Sequence, residues 1–582
     1  MQQPYVLFDD MRPGGGGARL YERPADEIAA GTIEDVHAAL EQLRAAVGEG
    51  RHAAGFMAYD AAYALEPKLW SLARHGDGPL LWFGLFDGYR TLRPEELEDL
   101  LGDGAGGWTS RPRPRIGRAD YLSAASQVRD HLYAGDFYQA NLTFGCDVTV
   151  LGEPLAVYAR LRQRSQAGWA GIVRHPTGWL LSLSPEQFFT IRGRTIEAKP
   201  MKGTAPRRSD PEADRAEVSK LAADPKQRAE NMMIVDLLRN DLARVAEAGS
   251  VDVPELFKVE SFPTLHQMVS RVTATLRENA HPVGVLKTLF PCGSITGAPK
   301  LAAIEALRHL EPEPRGAYTG TMGWIEPDGD ASFNVLIRTL ELPEGHNVAR
   351  LGLGSGLVVD SRLDDEWDEC LLKGDFVAPD TSEFDLIETM RFDPQAGVID
   401  LDRHLDRMRA AAGDLDFRFD RHAARNELQA ATFRHKEPAM VRLLLSPKGS
   451  MAIEVKPLPE LPHGPVEVVV RPLPVDPSDY RLRYKTTGKD VLKQVRRDAN
   501  AFEAVFTDPE GRLTEGSYTN IFVERGGKLL TPPQERGLLP GLLRQRLIDE
   551  GKAEEADLTV ADLGKGFLIG NMIRGLIKAR LA

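Results

Sequence analysis

The sequence predicts two successive α+β domains, on three observations. The chain has 582 residues, more than the about 250–300 that a single hydrophobic core serves. Both halves mix amphipathic helices with short apolar strands and show no repeat period. Near residue 374, helix-like ECLLK gives way to polar GDFVAPDTSE before the apolar run FDLIETM begins, the punctuation of a linker. The expected division is 1–375, a linker at 376–382, and 383–582.

In the first domain a Gly-rich turn at 14–17 precedes helices over 33–47 and 119–133, and LLWFGLF at 80–86 reads as a buried strand. The second domain starts with a helix over 404–412. Strand-like VRLLL, MAIEV, VEVVV, AVFTD and NIFVE then alternate with turns. Two segments read as helical at the end, LLRQRLIDE and NMIRGLIKARL.

With 42% apolar, 27% charged and 7% aromatic residues, the composition is that of an ordinary globular protein. The 72 basic against 85 acidic residues leave a net charge of −13, and no Lys/Arg tract offsets it, which argues against nucleic acid as a partner. The start MQQPYVLFDD has no basic n-region with an apolar h-region, and no run reaches the roughly 18 apolar residues of a membrane span. The expectation is a soluble, cytoplasmic protein with no membrane partner. Cys146, Cys292 and Cys370 form no metal-spaced or paired set.

In RAENMMIVDLLRNDL, Glu230 shares a helical face with Met233, Ile234 and Leu237, so its carboxylate needs a partner. In DSRLDDEWDECLLK, Glu366 and Glu369 lie one turn apart on a face with Lys373, a charge density suited to Mg2+. An exposed acidic face and an Arg-paired Glu230 account for the same spacing. GSITGAPK (293–300), LGLGSGL (351–357), Arg338 in NVLIRTLEL, and KPMKGTAPR (199–207) are built for anions. Glycine lets backbone N–H groups approach a carboxylate, and Arg binds one bidentately; each glycine segment alone also suits a plain turn.

The ordered series GDFYQANL (135–142), SPEQFF (184–189), PMKGTAPR (200–207), DPKQRAENMMIVDLLRNDL (224–242), FPCGSITGAPK (290–300), IRTL (337–340) and SGLVVDS (355–361) resembles the chorismate-utilising enzymes over about 115–375. The resemblance implies a large fold with sheets around a deep cleft, chorismate as substrate and Mg2+ as cofactor. A lysine after Pro-Met is similar to the aminodeoxychorismate synthases, whereas anthranilate synthases have a small residue there. The family mechanism implies that Lys202 attacks ring C2, that Glu186 protonates the departing C4 hydroxyl, and that ammonia then adds at C4 and expels the lysine. Lys202 as a carboxylate clamp is the alternative. The resemblance further implies Glu230 and Glu369 on Mg2+ with Glu366 nearby. It puts Tyr318, Arg338 and the Gly354, Ser355 and Gly356 backbone on the enolpyruvyl carboxylate, with Gly297, Ala298 and Lys373 as further substrate contacts. Gln267 stands where anthranilate synthases have His. No G-x-C-x-G nucleophile is present, so ammonia is expected from a separate glutamine amidotransferase.

HLDRM (404–408), YKTTG (484–488), LTEGSYTNIF (513–522), LLPGLLR (538–544) and GNMIRG (570–575) resemble fold-type IV pyridoxal-phosphate enzymes, the aminodeoxychorismate lyases in particular. The implied parts are Lys485 as cofactor anchor, Glu515 on the pyridine nitrogen, and the Leu542 and Leu543 amides with Arg407 on the phosphate. Thr389 is implied as a hydroxyl that helps protonate leaving pyruvate; a β-branched strand residue suits the position equally. The domain departs from the pattern by starting late, by lacking hydroxyls at Leu543 and Met572, and by carrying Gly488–Lys489 in place of an Asn/Asp–Arg pair. An amino-acid aminotransferase or a silent scaffold remain readings of this domain, and an anthranilate synthase of the first.

Overall fold

The computed structural model describes residues 3–582 apart from 13, 75, 166, 262–264, 380–383 and 489. Part of the expected linker, and Lys489, therefore lie outside the described residues. The chain divides into two compact units. The first comprises 1–102, 111–149 and 158–378; the second comprises 379–582 together with two short segments, 103–110 and 150–157.

Two antiparallel sheets build the first unit. One runs in the order Gly297–Ala298, Gln139–Leu151, Val348–Leu357, Thr339–Pro343, Gly178–Ser182, Ala170–His175, Tyr5–Asp10, Gly17–Glu22, Arg90–Leu92. The other runs Met201–Pro206, Leu265–Thr275, Thr195–Ala198, Gln187–Arg192, Ala331–Asn334, Thr321–Ile325, His52–Met57, Leu81–Phe86, Asp26–Ala30. Val6, Tyr21, Val173 and Leu180 of the first sheet form one core with Phe56, Trp82, Met322 and Trp324 of the second, the arrangement of two apolar faces packed together. A second core joins Leu81, Phe83 and Phe189 to the helices Ile33–Gly48 and Pro225–Ala243, through Val36, Leu40, Ile234 and Leu238. The helix expected at 119–133 spans Arg118–Ala134.

The second unit has a four-stranded antiparallel sheet around Leu386–Asp393 and Ala439–Leu445, and an eight-stranded mixed sheet. The helix expected at 404–412 spans Leu401–Asp414, and its Leu405 and Met408 pack on Met390 and Val441 of the first sheet. The C-terminal segment corrects the sequence reading. NMIRGLIKARL is not a helix but a turn and a strand, Gly575–Leu581, hairpinned to Phe567–Asn571. Ile577 and Ala579 are buried while Lys578 and Arg580 are exposed, the period of two that a half-buried strand requires. Gly575 has φ 66°, which closes the turn at a residue without Cβ. Among the described residues no helix is long and apolar enough to cross a membrane.

Candidate active sites

In the first unit, Lys202 lies on the strand Met201–Pro206, beside Gln267 of Leu265–Thr275, whose Nε2 donates to Gly203 O at 2.9 Å. The Lys202 Nζ is 3.9 Å from Glu230 Oε2. Glu230 is carried by the helix Pro225–Ala243, which Asp224 starts by accepting from the N–H groups of Lys226 and Gln227. Glu186 is 8% exposed and accepts from Ser294 Oγ at 2.7 Å. Burial raises its carboxyl above the usual range, opposed by Ser294 and by the charges of Lys202 and Lys373.

The helix Leu363–Gly374 brings Lys373 to Glu369 Oε1 at 2.8 Å and to the carbonyl of Gly354 at 3.1 Å. Burial works against ionisation of Glu369, but Lys373 and then Lys202 outweigh it and lower its carboxyl. Lys202 thus acts on Glu186, Glu230 and Glu369 together, although the four residues come from four separate segments.

Close backbone approach requires glycine at 297, and the ends of two side chains crowd Gly356. A Cβ on Gly297 would fall 2.4 Å from Gln139 O, and one on Gly356 would fall 2.9 Å from Gln139 Nε2 and 3.5 Å from Lys202 Nζ. Gly297 and Ala298 pair with Ala140 and Gln139, and Ala298 O accepts from Tyr138 N at 2.7 Å. Gly354 and Gly356 share one face of Val348–Leu357, and Ser355 turns its hydroxyl the other way, to Tyr121 at 3.2 Å. Only its backbone is available to that face. Tyr318 lies against Gly352, where a Cβ would sit 2.0 Å from its ring. Arg338 has φ 50° at the bend between the strands Ala331–Asn334 and Thr339–Pro343 of opposite sheets. Burial lowers its guanidinium. A non-glycine residue held at positive φ marks a site where the surroundings impose the conformation.

Glu366 is the exception within this set. It acts on Tyr121, and among the described residues no three His, Cys, Asp or Glu side chains form a group that could hold a metal. Glu230 and Glu369 each face a lysine in this structure. Two carboxylates still suit Mg2+, which keeps several waters and completes its shell from substrate. Gln139, within GDFYQANL, is 2% exposed and its Oε1 has no partner among the described residues.

The second unit holds a buried ionic network. Glu388 Oε2 meets His404 Nδ1 at 2.6 Å and Arg407 Nη2 at 2.8 Å, and its Oε1 accepts from Arg407 Nε at 2.8 Å. Burial alone would raise the Glu388 carboxyl, but Arg407, His404 and Lys485 hold it far below the carboxylate range. Arg407 also donates to Pro540 O at 3.0 Å, just before the helix Leu542–Asp549 whose first amides are those of Leu542 and Leu543. Glu515, 4% exposed, accepts from Leu539 N at 3.0 Å. Lys485 O in turn accepts from Ile387 N at 3.0 Å. A lysine beside a buried anion, a buried Glu on the next sheet and an open helix start fit a phosphorylated pyridine cofactor. Thr389 follows Glu388 on an alternating strand, so its hydroxyl lies on the face away from this network. Glu388 and His404 carry the network and were not singled out by sequence, because their partners are distant along the chain.

Removing that anion has a defined expected cost. Glu388→Ala leaves the Arg407 and His404 pair without its counter-charge, and loss of about 3–5 kcal/mol is expected, read as a lower urea midpoint of the second unit. Since the folded carboxyl is depressed, this contribution is complete above the usual carboxylate range and is lost as pH falls towards the depressed value.

These features define a class. Residues 4–379 match the chorismate binding enzyme family, and the chain belongs to it; residues 385–581 match amino-transferase class IV. Among named relatives, the chain is 43% identical over 261 residues to aminodeoxychorismate synthase component 1 of Klebsiella aerogenes, 45% of this chain and 57% of that protein. It is 34% identical over 320 residues to anthranilate synthase component 1 of Streptomyces coelicolor, 54% of this chain and 59% of that one. The chain thus spans little more than half the length of these relatives. The structure of anthranilate synthase component I from Streptococcus pneumoniae shares the fold, with TM-score 0.52 and 22% identity over 64% of this chain and 92% of that one.

Proposed function

We propose that the chain makes 4-aminobenzoate in two steps: amination of chorismate to 4-amino-4-deoxychorismate, then elimination of pyruvate. The observation that carries the first step is Lys202, which lies 3.9 Å from Glu230 and whose charge acts on the buried Glu186. Lys202 bonds to ring C2 as the C4 hydroxyl leaves as water, on a proton from Glu186. The raised Glu186 carboxyl retains that proton to higher pH than an exposed one. Ammonia then bonds to C4 and the Lys202 amine departs.

Gly297, Ala298, Tyr318, Arg338, the amides of Gly354, Ser355 and Gly356, and Lys373 hold the substrate carboxylates. Glu230 and Glu369 would hold Mg2+, which screens the ring carboxylate. Glu369→Gln is expected to raise the Mg2+ concentration for half-maximal amination by at least about tenfold, by loss of a ligand charge; an unchanged titration would place the metal elsewhere. Cys146 and Cys292 are buried and pushed up to about 12, and Cys370 is also raised by burial, so none suits a glutaminase nucleophile. Ammonia comes from a separate glutamine amidotransferase.

In the second step, Lys485 anchors pyridoxal 5'-phosphate and moves the proton at C4 of the aminated ring. Bound cofactor supplies the electron sink for that proton's departure. Glu515 holds the proton of the pyridine nitrogen, while Leu542, Leu543 and Arg407 hold the phosphate. Thr389 aids the leaving pyruvate from the strand face opposite Glu388. The test is incubation of the protein with chorismate, ammonium, Mg2+ and pyridoxal phosphate, followed by product identification. Anthranilate, or 4-amino-4-deoxychorismate with no 4-aminobenzoate, would overturn the first or second half respectively.

A further inference from the structure

Tyr518 lies in the turn between the strands Leu513–Gly516 and Asn520–Arg525, three residues after Glu515. It is tied at both ends. Its hydroxyl donates to Phe502 O at 3.1 Å, and its carbonyl accepts from Asn571 Nδ2 at 3.2 Å. Two guanidinium groups sit over its ring, Arg496 of the helix Asp490–Asp498 at 5.2 Å and Arg574 of the C-terminal hairpin turn at 5.5 Å. The Nε of each arginine is buried, and neither has an acceptor among the described residues.

A carboxylate does lie near, yet it does not serve them. Glu503, fully buried, accepts from Ala504 N (2.9 Å), Ser517 N (2.9 Å), Ser517 Oγ (2.5 Å), Tyr518 N (3.3 Å) and Thr519 Oγ1 (2.7 Å). Both its oxygens are committed to holding the turn. Two like charges around one aromatic ring gain from it but repel one another, and a buried donor without an acceptor is costly. What relieves both is an anion with planar oxygens, the geometry a guanidinium fork recognises. The hairpin turn supports the placement, since Asn571 Oδ1 accepts from Ile573 N and Arg574 N, each at 3.0 Å, and fixes the root of the Arg574 side chain.

We propose that Arg496 and Arg574 form a carboxylate-binding element of the second active site, taking a carboxylate that the substrate carries away from its reacting amine. This rests on the lyase reading above and deepens it: the substrate class is a cyclic amine bearing ring and side-chain carboxylates, and Tyr518 is the platform that presents both arginines. A substrate without a distal carboxylate leaves both donors unanswered.

The test uses the full chain loaded with cofactor and the variant R496Q/R574Q. With 4-amino-4-deoxychorismate, the KM for pyruvate release is expected to rise by at least about tenfold, with kcat within about threefold. The visible absorbance of bound cofactor should not move. Independently of turnover, calorimetric titration with isophthalate, an unreactive dicarboxylate, is expected to lose one binding event relative to the parent; the first domain contributes equally to both titrations. The lysine variants R496K and R574K keep the charge and are expected to recover most of the KM. An unchanged KM and titration in R496Q/R574Q would overturn the proposal. So would lysine variants that fail together with loss of the cofactor band, which would reduce both arginines to packing against Tyr518. If the parent released no pyruvate but the isophthalate difference remained, the lyase reading would fail and the anion site would stand.

Discussion

Replacing Lys202 by alanine is expected to lower chorismate amination by more than roughly a thousandfold while the Kd for chorismate stays within about threefold. On the proposed mechanism the nucleophile is lost, but Arg338, Tyr318 and the amides around Gly354 and Gly356, to which that mechanism assigns binding, are untouched. A second effect sharpens the result. Lys202 is the neighbour of Glu230 at 3.9 Å and acts on Glu186 and Glu369. Its removal takes a positive charge away from all three carboxyl groups, so the affinity for Mg2+ should increase rather than fall. Amination near the parental rate in this variant would rule out a covalent role, and a matching loss of chorismate binding would make Lys202 a clamp. Rapid-quench product analysis and equilibrium binding separate the three outcomes.

Lys485→Ala is expected to leave chorismate consumption intact and to stop 4-aminobenzoate formation by more than roughly a thousandfold, so that 4-amino-4-deoxychorismate accumulates. The first site shares no residue with the second, and burial makes His404 of the Glu388 network a weaker base than a free imidazole. Glu515→Ala should show a smaller loss of the same step, because the carboxylate supports the pyridine proton without moving the proton at C4. Parental release of pyruvate by the Lys485 variant would place elimination in the first domain or on Lys489; Lys489→Ala in parallel decides between them.

The segments proposed to carry chemistry were legible as motifs, but their convergence was not. Glu230 on an apolar helical stripe signalled that a partner exists; that the partner is Lys202 depends on the pairing of Met201–Pro206 with Leu265–Thr275, a contact no local pattern encodes. Glu366 and Glu369 are equivalent by spacing, yet on the helix Leu363–Gly374 it is the second that pairs with Lys373. Helices with one clear apolar face, such as Ile33–Gly48, were readable to within about a residue. NMIRGLIKARL misled because Met572, Ile573, Leu576 and Ile577 fit a helical period as well as a strand one, and only the hairpin pairing with Phe567–Asn571 decides. Glu388 went unmarked because a single acid in an apolar strand shows its meaning only when Arg407 and His404 arrive from the next helix.

The short strand Trp108–Thr109 has a consequence for how this protein is made. Trp108 is 1% exposed inside the core formed by Leu386, Met390, Leu405 and Tyr480, so the second unit borrows an aromatic plug from the early part of the chain. A fragment that begins at residue 379 would carry a void of tryptophan size, at about 3–5 kcal/mol, a large share of the about 5–15 kcal/mol that holds a typical domain; such a fragment is expected to melt well below the second unit of the intact chain, as calorimetry would show. On the ribosome the order is reversed. Trp108 emerges long before the residues that enclose it, and must wait in solvent or in a chaperone's grip until the C-terminal strands are complete.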